Sequence, residues 1–160
     1  FRKDGKVTPG NASGVTDGAA FVVVGDRAAV EAKGAEPLVR LVDWTIVGVP
    51  PRIMGCGPVP AIQALWEKRG LKASDVDYYE INEAFAVVNL HAEKELGVGR
   101  DVTNIYGGGI SIGHPPGATG VRMTLTAMQH LADTNQRYAV ISMCMGAGQG
   151  MAVLIENLKR

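Results

Sequence analysis

Hydrophobic residues along this chain alternate between two spacings, and the alternation predicts a domain that mixes strands with helices. Residues 37–49 are rich in apolar and β-branched side chains, and 77–81 (DYYEI) is short and strand-like, so both segments predict strands. Between these runs, apolar residues recur at the i, i+3, i+4 spacing of a helix face. This spacing predicts a helix over about 58–70, with one face formed by Ile62, Leu65 and Trp66.

The second half of the chain continues the alternation. Helical spacing over 83–96 is followed by a brief strand near 102–105, and two apolar runs at 137–145 and 150–158 predict the last two strands. Between the brief strand and the last two strands, a third helix is expected to bury one apolar stripe. That stripe consists of Val121, Leu125, Met128 and Ala132.

From residue 37 onward the predicted order of elements is therefore βαβαβαββ. Helices between successive strands require crossover connections, which predict an α/β fold with a mostly parallel sheet and helices on both faces. The turn at 146–150 is too short for a crossover. We therefore expect the last strand to run antiparallel to its neighbour.

The first 34 residues do not fit this unit. An apolar run at 19–24 predicts a buried strand, and a short helix is expected over 27–33 with Asp26 as its N-cap. We assign 1–34 to the tail of a preceding domain and 35–160 to the domain described above.

Composition narrows the functional classes. The chain has 160 residues and a formal net charge of zero, which argues against nucleic-acid binding. No apolar run approaches the roughly 20 residues of a membrane span. Cys56 and Cys144 make no disulfide framework. We expect a cytoplasmic protein, with the mitochondrion or peroxisome as alternatives, and the start at Phe1 without Met suggests the interior of a longer polypeptide.

Three loops follow predicted strands and carry polar residues suited to chemistry. Asn82, His114 and Cys144 lie in these loops, and ligands of open α/β sheets collect at the carboxyl ends of parallel strands. A cysteine beside a histidine suggests acid–base chemistry at a thiol.

Simpler interpretations stand beside this one. Asn82 could serve only as the N-cap of the following helix, His114 could be an ordinary loop histidine, and Cys144 could be an inert buried thiol. His91 and His130 are expected at the surface. The sequence offers no cluster of metal ligands, and its glycine loops lack the P-loop and GxGxxG patterns.

Several long motifs resemble the thiolase family. NEAFA at 82–86, GGGISIGHPPGATG at 107–120 and CMGAGQGMA at 144–152 are similar to the C-terminal motifs of thiolases. The segments at 7–20 and 53–61 resemble two further thiolase segments, so that the resemblance covers essentially the whole chain.

The resemblance implies a fold and an activity. Thiolases join or cleave carbon–carbon bonds of acyl-CoA thioesters by Claisen chemistry, with coenzyme A as a substrate and no permanently bound cofactor. Their two similar domains suggest that this chain corresponds to the second domain plus the tail of the first. The cysteine that becomes acylated belongs to the N-terminal half, which would be a partner here. Thiolases are usually dimers or tetramers.

The resemblance also assigns catalytic roles. His114 matches the histidine that deprotonates the nucleophile, and Cys144 matches the cysteine that moves the α-proton. Asn82 matches the asparagine that positions a water in one oxyanion hole, and Gly146 would lend its backbone N–H to the other.

Substrate-binding positions follow from the same motifs. Ser13 matches a serine near the pantetheine of coenzyme A, and Ala84 and Phe85 would line the acyl pocket. The chain departs from the usual pattern at four positions around the histidine loop, which leaves its chain-length preference open. These are Tyr106, Gly109, Pro116 and Thr119, the last standing where serine is frequent.

Two other functions compete with catalysis. The chain could be a non-catalytic thiolase-like protein that binds acyl-CoA, or a structural half that only completes a partner. The presence of Asn82, His114 and Cys144 together favours the enzyme, because a binding protein has no need of a cysteine that transfers protons.

Overall fold

A computed structural model describes residues 3–160 of the chain. Its α-helices are α1 (Arg27–Ala32), α2 (Pro58–Arg69), α3 (Ala86–Leu96), α4 (Gly109–Ile112) and α5 (Thr119–Thr134). The strands are β1 (Val39–Gly48), β2 (Tyr78–Ile81), β3 (Tyr138–Met145) and β4 (Gln149–Asn157). Short 3₁₀ turns lie at Pro9–Asn11, Pro51–Cys56 and Ala73–Asp75.

The strands form one mixed sheet in the order β1-β4-β3-β2. β2 pairs with β3 in parallel, and β4 pairs antiparallel with both β3 and β1. β1, β2 and β3 therefore run in one direction and β4 runs against them. The prediction of an antiparallel last strand is confirmed, and β4 lies inside the sheet, between β3 and β1.

Helices cover both faces of the sheet, as predicted. Successive residues of a strand point to opposite faces, and on β2 both Tyr78 and Tyr79 are fully buried. Tyr79 belongs to the core under α2 and α3, whereas Tyr78 belongs to the core under α5. A strand buried on both sides explains why 77–81 shows no polar alternation.

The predicted strand at 102–105 is reduced to a single bridge. Thr103 pairs in parallel with Tyr79, and the pairing ends at Asn104, whose φ is 47°. Beyond this bridge, the Asn104 side chain bonds to the β2 backbone in place of a strand. Its Oδ1 accepts from the Ile81 N–H at 2.8 Å, and its Nδ2 donates to the Ile81 carbonyl at 2.7 Å. One side chain makes the two hydrogen bonds that a further strand residue would have made.

The prediction for the third helix is right in its position and wrong in its buried face. The residues of α5 that lie against the sheet are Met123, Ala127 and Leu131, all fully buried. The predicted stripe is turned partly or wholly away, and Leu125 on it is 39% exposed. The helix is apolar on two sides, and periodicity alone does not tell which side meets the sheet.

The predicted strand at 19–24 is also wrong. These residues have no regular structure, and Phe21 is 87% exposed. A strand needs a neighbour to satisfy its backbone groups, and within residues 3–160 this segment pairs with none. The helix after it is confirmed, because the Asp26 carboxylate accepts from the Ala29 N–H at 2.8 Å.

The assignment of 1–34 to a preceding domain stays a prediction, and its first two residues lie outside the described part of the chain. Across residues 3–160, none of the helices has the length and apolar character needed to cross a bilayer.

The role of the Asn104 amide can be tested by replacement with glycine, which tolerates the same positive φ. We expect Asn104→Gly to lower the free energy of unfolding by about 1–3 kcal/mol, because the buried Ile81 N–H loses its acceptor, although the Ile81 carbonyl still accepts from the Asn89 amide. Asn135→Gly is the matched control, since Asn135 also has positive φ (55°) but is exposed at the end of α5. Urea unfolding should show a change of under about 0.5 kcal/mol there. Equal effects at the two sites would contradict this role.

Candidate active site

Two of the polar residues predicted from the sequence, Asn82 and Cys144, lie at the carboxyl edge of the parallel strands. Ile81 and Ser142 are register partners on β2 and β3, and the next N–H, that of Asn82, donates to the Ser142 carbonyl at 2.9 Å. Cys144 lies two residues further along β3. The ends of adjacent strands are about 4.8 Å apart, so Asn82 and Cys144 belong to neighbouring positions of one edge.

Asn82 does not cap α3. That helix begins at Ala86 and its N-cap is Phe85, so the simpler interpretation of Asn82 is wrong. The Asn82 side chain is buried, with 2% of the residue exposed, and neither its oxygen nor its nitrogen has a hydrogen-bond partner. An unpaired buried amide is costly by about 1–3 kcal/mol. Such a group is suited to a water or a ligand oxygen that supplies the missing bonds.

Glu83 fastens the glycine-rich loop to this edge. Its carboxylate accepts from the Ile110 N–H at 3.1 Å and from Asn104 Nδ2 at 3.3 Å. The loop passes so close that a Cβ on Gly109 would lie 3.3 Å from Asn82 Oδ1. Sequence reasoning missed Glu83, and the only signal for it is a carboxylate placed directly after Asn82 in the motif.

His114 is held at both its backbone and its ring. Its N–H donates to the Gly14 carbonyl at 2.8 Å, and its Nδ1 lies 2.7 Å from Thr119 Oγ1. Burial, and then the positive charge of Arg122, lower the pKa of His114 below the ordinary value. The imidazole is therefore neutral at pH 7, which is the form that can accept a proton.

The segment before residue 19 bridges the two loops. The Ser13 N–H and hydroxyl both donate to the Ala84 carbonyl, at 3.1 Å and 3.3 Å. Gly18 lies against the ring of Pro115, next to His114. This segment thus connects the asparagine loop with the histidine loop. The predicted pocket residue Phe85 forms an isolated bridge with Ala12 and packs partly into the core under α2 and α3.

Cys144 and Gly146 lie on the hairpin between β3 and β4. Cys144 is half-buried, and burial raises the pKa of its thiol, so the thiol stays protonated at neutral pH. Gly146 is exposed, and a Cβ there would meet nothing. The turn is fixed at Gly148, with φ 87°, where a Cβ would lie 2.2 Å from the Val49 carbonyl oxygen.

A buried ion pair lies beneath these loops. Arg122 Nη1 is 3.0 Å from Glu80 Oε2, and the Tyr78 hydroxyl donates to the same carboxylate. The Glu80 side chain is almost wholly buried. Burial raises the pKa of Glu80, while the arginine and the tyrosine oppose that shift. The pair joins β2, which ends at the asparagine loop, to α5, which follows the histidine loop.

His130 was expected at the surface, and this prediction is wrong. Only 6% of the residue is exposed, and its ring stacks on Tyr78 with centroids 4.1 Å apart. The Tyr106 hydroxyl lies 3.0 Å from its Nδ1, and Gln136 Oε1 lies 2.7 Å from its Nε2. His130 thus packs into the core under α5 and is not a surface residue.

Within the described residues, no group of three or more histidine, cysteine, aspartate or glutamate side chains is placed to hold a metal ion. The candidate site therefore consists of a protonated thiol and an unpartnered buried amide at this edge, with a neutral imidazole on the adjoining glycine-rich loop. Such a set can move protons between sulfur, carbon and nitrogen, and it can stabilise a developing oxyanion.

Comparisons with known proteins identify the family of this domain. The family model described as "Thiolase, C-terminal domain" matches residues 35–157. A beta-ketothiolase of Cupriavidus necator is 46% identical over 98% of this chain and 40% of the relative. The mitochondrial 3-ketoacyl-CoA thiolase of Homo sapiens is also 46% identical, with the same coverage.

Solved structures show the same fold. The acetyl-CoA acetyltransferase of Bacillus anthracis superimposes with a TM-score of 0.96 at 45% identity, over 99% of this chain and 40% of that one. The human mitochondrial 3-ketoacyl-CoA thiolase in complex with CoA gives 0.90 at 44% identity, over 98% of this chain and 40% of that one.

This chain spans 40% of the length of these relatives. The family match covers most of the chain, the fold is that of the solved thiolases, and the motif residues Asn82 and Cys144 lie at one edge of the sheet. From these findings together we conclude that the chain belongs to the thiolase family and carries its C-terminal domain.

Proposed function

We propose that this chain is the C-terminal catalytic half of a thiolase, with residues 35–160 as its C-terminal domain and 1–34 as the tail of the preceding one. The reaction would be acyl transfer between CoA thioesters, by Claisen condensation or by thiolysis of a 3-ketoacyl-CoA. The acylated cysteine would come from an N-terminal thiolase half. The observation that supports this most is the buried, unpartnered amide of Asn82 at the edge that also carries Cys144.

His114 would act as the general base. Because its pKa is lowered, the ring is neutral at pH 7, and its free nitrogen can accept the proton of the upstream thiol as that sulfur attacks a thioester. While it keeps that proton, the same ring nitrogen can donate a hydrogen bond to the thioester oxygen of the second substrate. It returns the proton to the sulfur of the upstream cysteine when the acyl group leaves that sulfur.

Cys144 would transfer the α-proton. With its pKa raised by burial, it carries a proton at neutral pH and can deliver that proton to the enolate carbon when a 3-ketoacyl-CoA is cleaved. In condensation the sulfur first gives its proton to the departing CoA sulfur, and as a thiolate it then removes a proton from the acetyl methyl. Both directions require the sulfur to face the α-carbon.

Two oxyanion holes would stabilise the negative charge that develops on the thioester oxygens. The Asn82 amide would hold a water that, with His114, faces the enolate oxygen, and this role supplies the partner that the buried amide lacks. The exposed backbone at Gly146 would donate to the oxygen of the acylated cysteine. Preorganised donors of this kind are typically worth about 3 kcal/mol each.

Substrate contacts would come from the neighbouring loops. Ser13 lies on the segment that bridges the two catalytic loops, a position suited to contact the pantetheine of coenzyme A. Ala84 and Phe85 would line the acyl pocket. The substrate is a CoA thioester, and we propose no permanently bound cofactor. We expect the cytoplasm as the compartment, with the mitochondrion and peroxisome as alternatives.

The surface on the α5 side of the sheet is suited to the N-terminal half. On β1, Trp44 and Ile46 are 54% and 59% exposed, and their register partners on β4 point to the same side. The outward stripe of α5, including Leu125, is apolar as well. Exposed apolar areas of this kind mark interaction sites. Homodimers or tetramers would then form from the completed subunits.

Complementation tests whether this chain needs an N-terminal half for activity. We expect the chain alone to have no thiolytic activity, and mixing it with the unmatched N-terminal portion of the Cupriavidus necator relative to restore cleavage of acetoacetyl-CoA. A charge at the proposed surface, Trp44→Lys, should weaken the restored activity at least about tenfold at limiting partner. Val87→Lys is the control, because Val87 is 56% exposed on α3, across the sheet. Enzyme-like thiolysis by the chain alone would overturn the proposal.

The two cysteines provide a matched pair for the proton-transfer role. In the completed protein, Cys144→Ser should abolish exchange of acetyl-CoA methyl protons with D2O, while acylation of the upstream cysteine persists. Cys56→Ser should leave both intact, since it removes the other thiol of the chain and keeps the Cys144 thiol in place. NMR detects the exchange, and mass spectrometry locates the acyl group. An acyl adduct on Cys144 with none upstream would show that the roles are assigned wrongly.

The two shifted groups also fix the pH dependence of thiolysis. A lowered pKa keeps His114 neutral until the pH falls below the ordinary imidazole value of 6.5. A raised pKa keeps Cys144 protonated until the pH exceeds the ordinary thiol value of 9.0. In the completed protein, kcat/KM should therefore fall on the acid side only below pH 6.5. An acid limb centred above 6.5 would contradict the base role of His114.

A further inference from the structure

Thr119 contacts His114 from a fully enclosed position. It is the first residue of α5 and has no exposed surface. Its Oγ1 lies 2.7 Å from His114 Nδ1 and 2.9 Å from the Pro115 carbonyl oxygen. The hydroxyl therefore touches the imidazole on one side and a backbone acceptor on the other.

The direction of each hydrogen bond follows from the number of hydrogens. A threonine hydroxyl has one hydrogen, and the Pro115 carbonyl can only accept. A threonine in a helix commonly donates to the carbonyl four residues earlier, which here is Pro115. With its hydrogen committed there, Oγ1 can only accept from the ring, so Nδ1 must carry the hydrogen.

We propose that Thr119 is a positioning residue that holds His114 in the tautomer protonated at Nδ1 and leaves Nε2 free to accept a proton. The importance of that free nitrogen rests on the proposed function, since Nε2 would be the atom that takes the proton of the upstream thiol. The tautomer itself does not depend on that function.

This arrangement persists while the proton moves. When His114 is neutral, Nδ1–H donates to Thr119; when it is protonated at Nε2, Nδ1–H still donates to the same oxygen. The opposite tautomer would need the Thr119 hydroxyl to donate to Nδ1. Protonation of the ring would then bring two hydrogens together and break the contact. Only the Nδ1–H form keeps the ring fixed in both states.

The frame around the contact is rigid. The Thr119 N–H also donates to the Pro115 carbonyl at 2.9 Å, and the His114 N–H donates to the Gly14 carbonyl at 2.8 Å. Both partners of the ring bond are thus anchored by backbone hydrogen bonds. A serine at this position supplies the same oxygen, whereas a valine has the shape of threonine without it.

His130 provides an internal reference, because its contacts favour the opposite tautomer. His130 accepts at Nδ1 from the Tyr106 hydroxyl at 3.0 Å, and its Nε2 faces Gln136 Oε1 at 2.7 Å, which fixes its hydrogen on Nε2. The chain contains three histidines, so their ring signals can be told apart by substitution. One spectrum should therefore show one half-buried and one buried imidazole with opposite tautomers.

The experiment is long-range ¹H–¹⁵N NMR on the ¹⁵N-histidine-labelled chain at neutral pH, with His114→Gln to assign the signals. We expect a protonated Nδ1 for His114 and a protonated Nε2 for His130. Thr119→Ser should keep the His114 tautomer, and Thr119→Val should lose it while His130 stays unchanged. A wild-type His114 protonated at Nε2, or a Thr119→Val variant that keeps Nδ1–H, would overturn the proposal.

Kinetics of the completed protein supply the second readout. Thr119→Val should lower kcat on the order of 100-fold with little change in KM, and Thr119→Ser should restore most of it. If Thr119→Val does not fold, the wild-type and serine spectra still decide the tautomer. If the completed wild-type protein has no thiolase activity, the proposed function fails, while the NMR result continues to test the role of Thr119 by itself.

Discussion

The buried ion pair between Glu80 and Arg122 is the interaction on which the candidate site depends. It connects β2, whose end carries Asn82, to the α5 helix that begins at Thr119. Breaking a buried pair by removing one partner is strongly destabilising, because the remaining charge has no water to solvate it. The pair therefore fixes how the asparagine loop and the histidine loop lie relative to each other, and its positive end also contributes to the lowered pKa of His114.

Side chains replace regular backbone pairing around this anchor. Asn104 makes the hydrogen bonds that a further strand would make to Ile81, and Glu83 receives an N–H from the start of α4. These side-chain hydrogen bonds take the place of strand pairing and end the sheet where the loops turn toward the site. The opposite edge differs, because β1 presents Trp44 and Ile46 without a cover. Side chains thus end the sheet next to the candidate site, whereas the β1 side leaves apolar residues exposed where we propose that the N-terminal half binds.

Sequence periodicity predicted most of the elements, since each helix and strand needs its own apolar face. It failed where an apolar face has two candidates for a neighbour. Leu125 lies on a side of α5 that turns away from the sheet, and Phe21 belongs to an apolar run that pairs with no strand within residues 3–160. His130 was predicted at the surface because nothing local indicates the stacking on Tyr78. Such contacts join residues far apart in the chain.

The sequence by itself determined the fold class, the antiparallel last strand and the family, because these follow from local spacing and from uninterrupted motifs. It also singled out Asn82, His114 and Cys144, but left open whether Asn82 only caps a helix. Tertiary structure decided that question, since it buries the amide without a partner. It also lowered the pKa of His114, raised the pKa of Cys144 and brought Thr119 into contact with His114. Burial and the direction of a hydrogen bond depend on what surrounds a residue in space, and neighbours in sequence do not specify that.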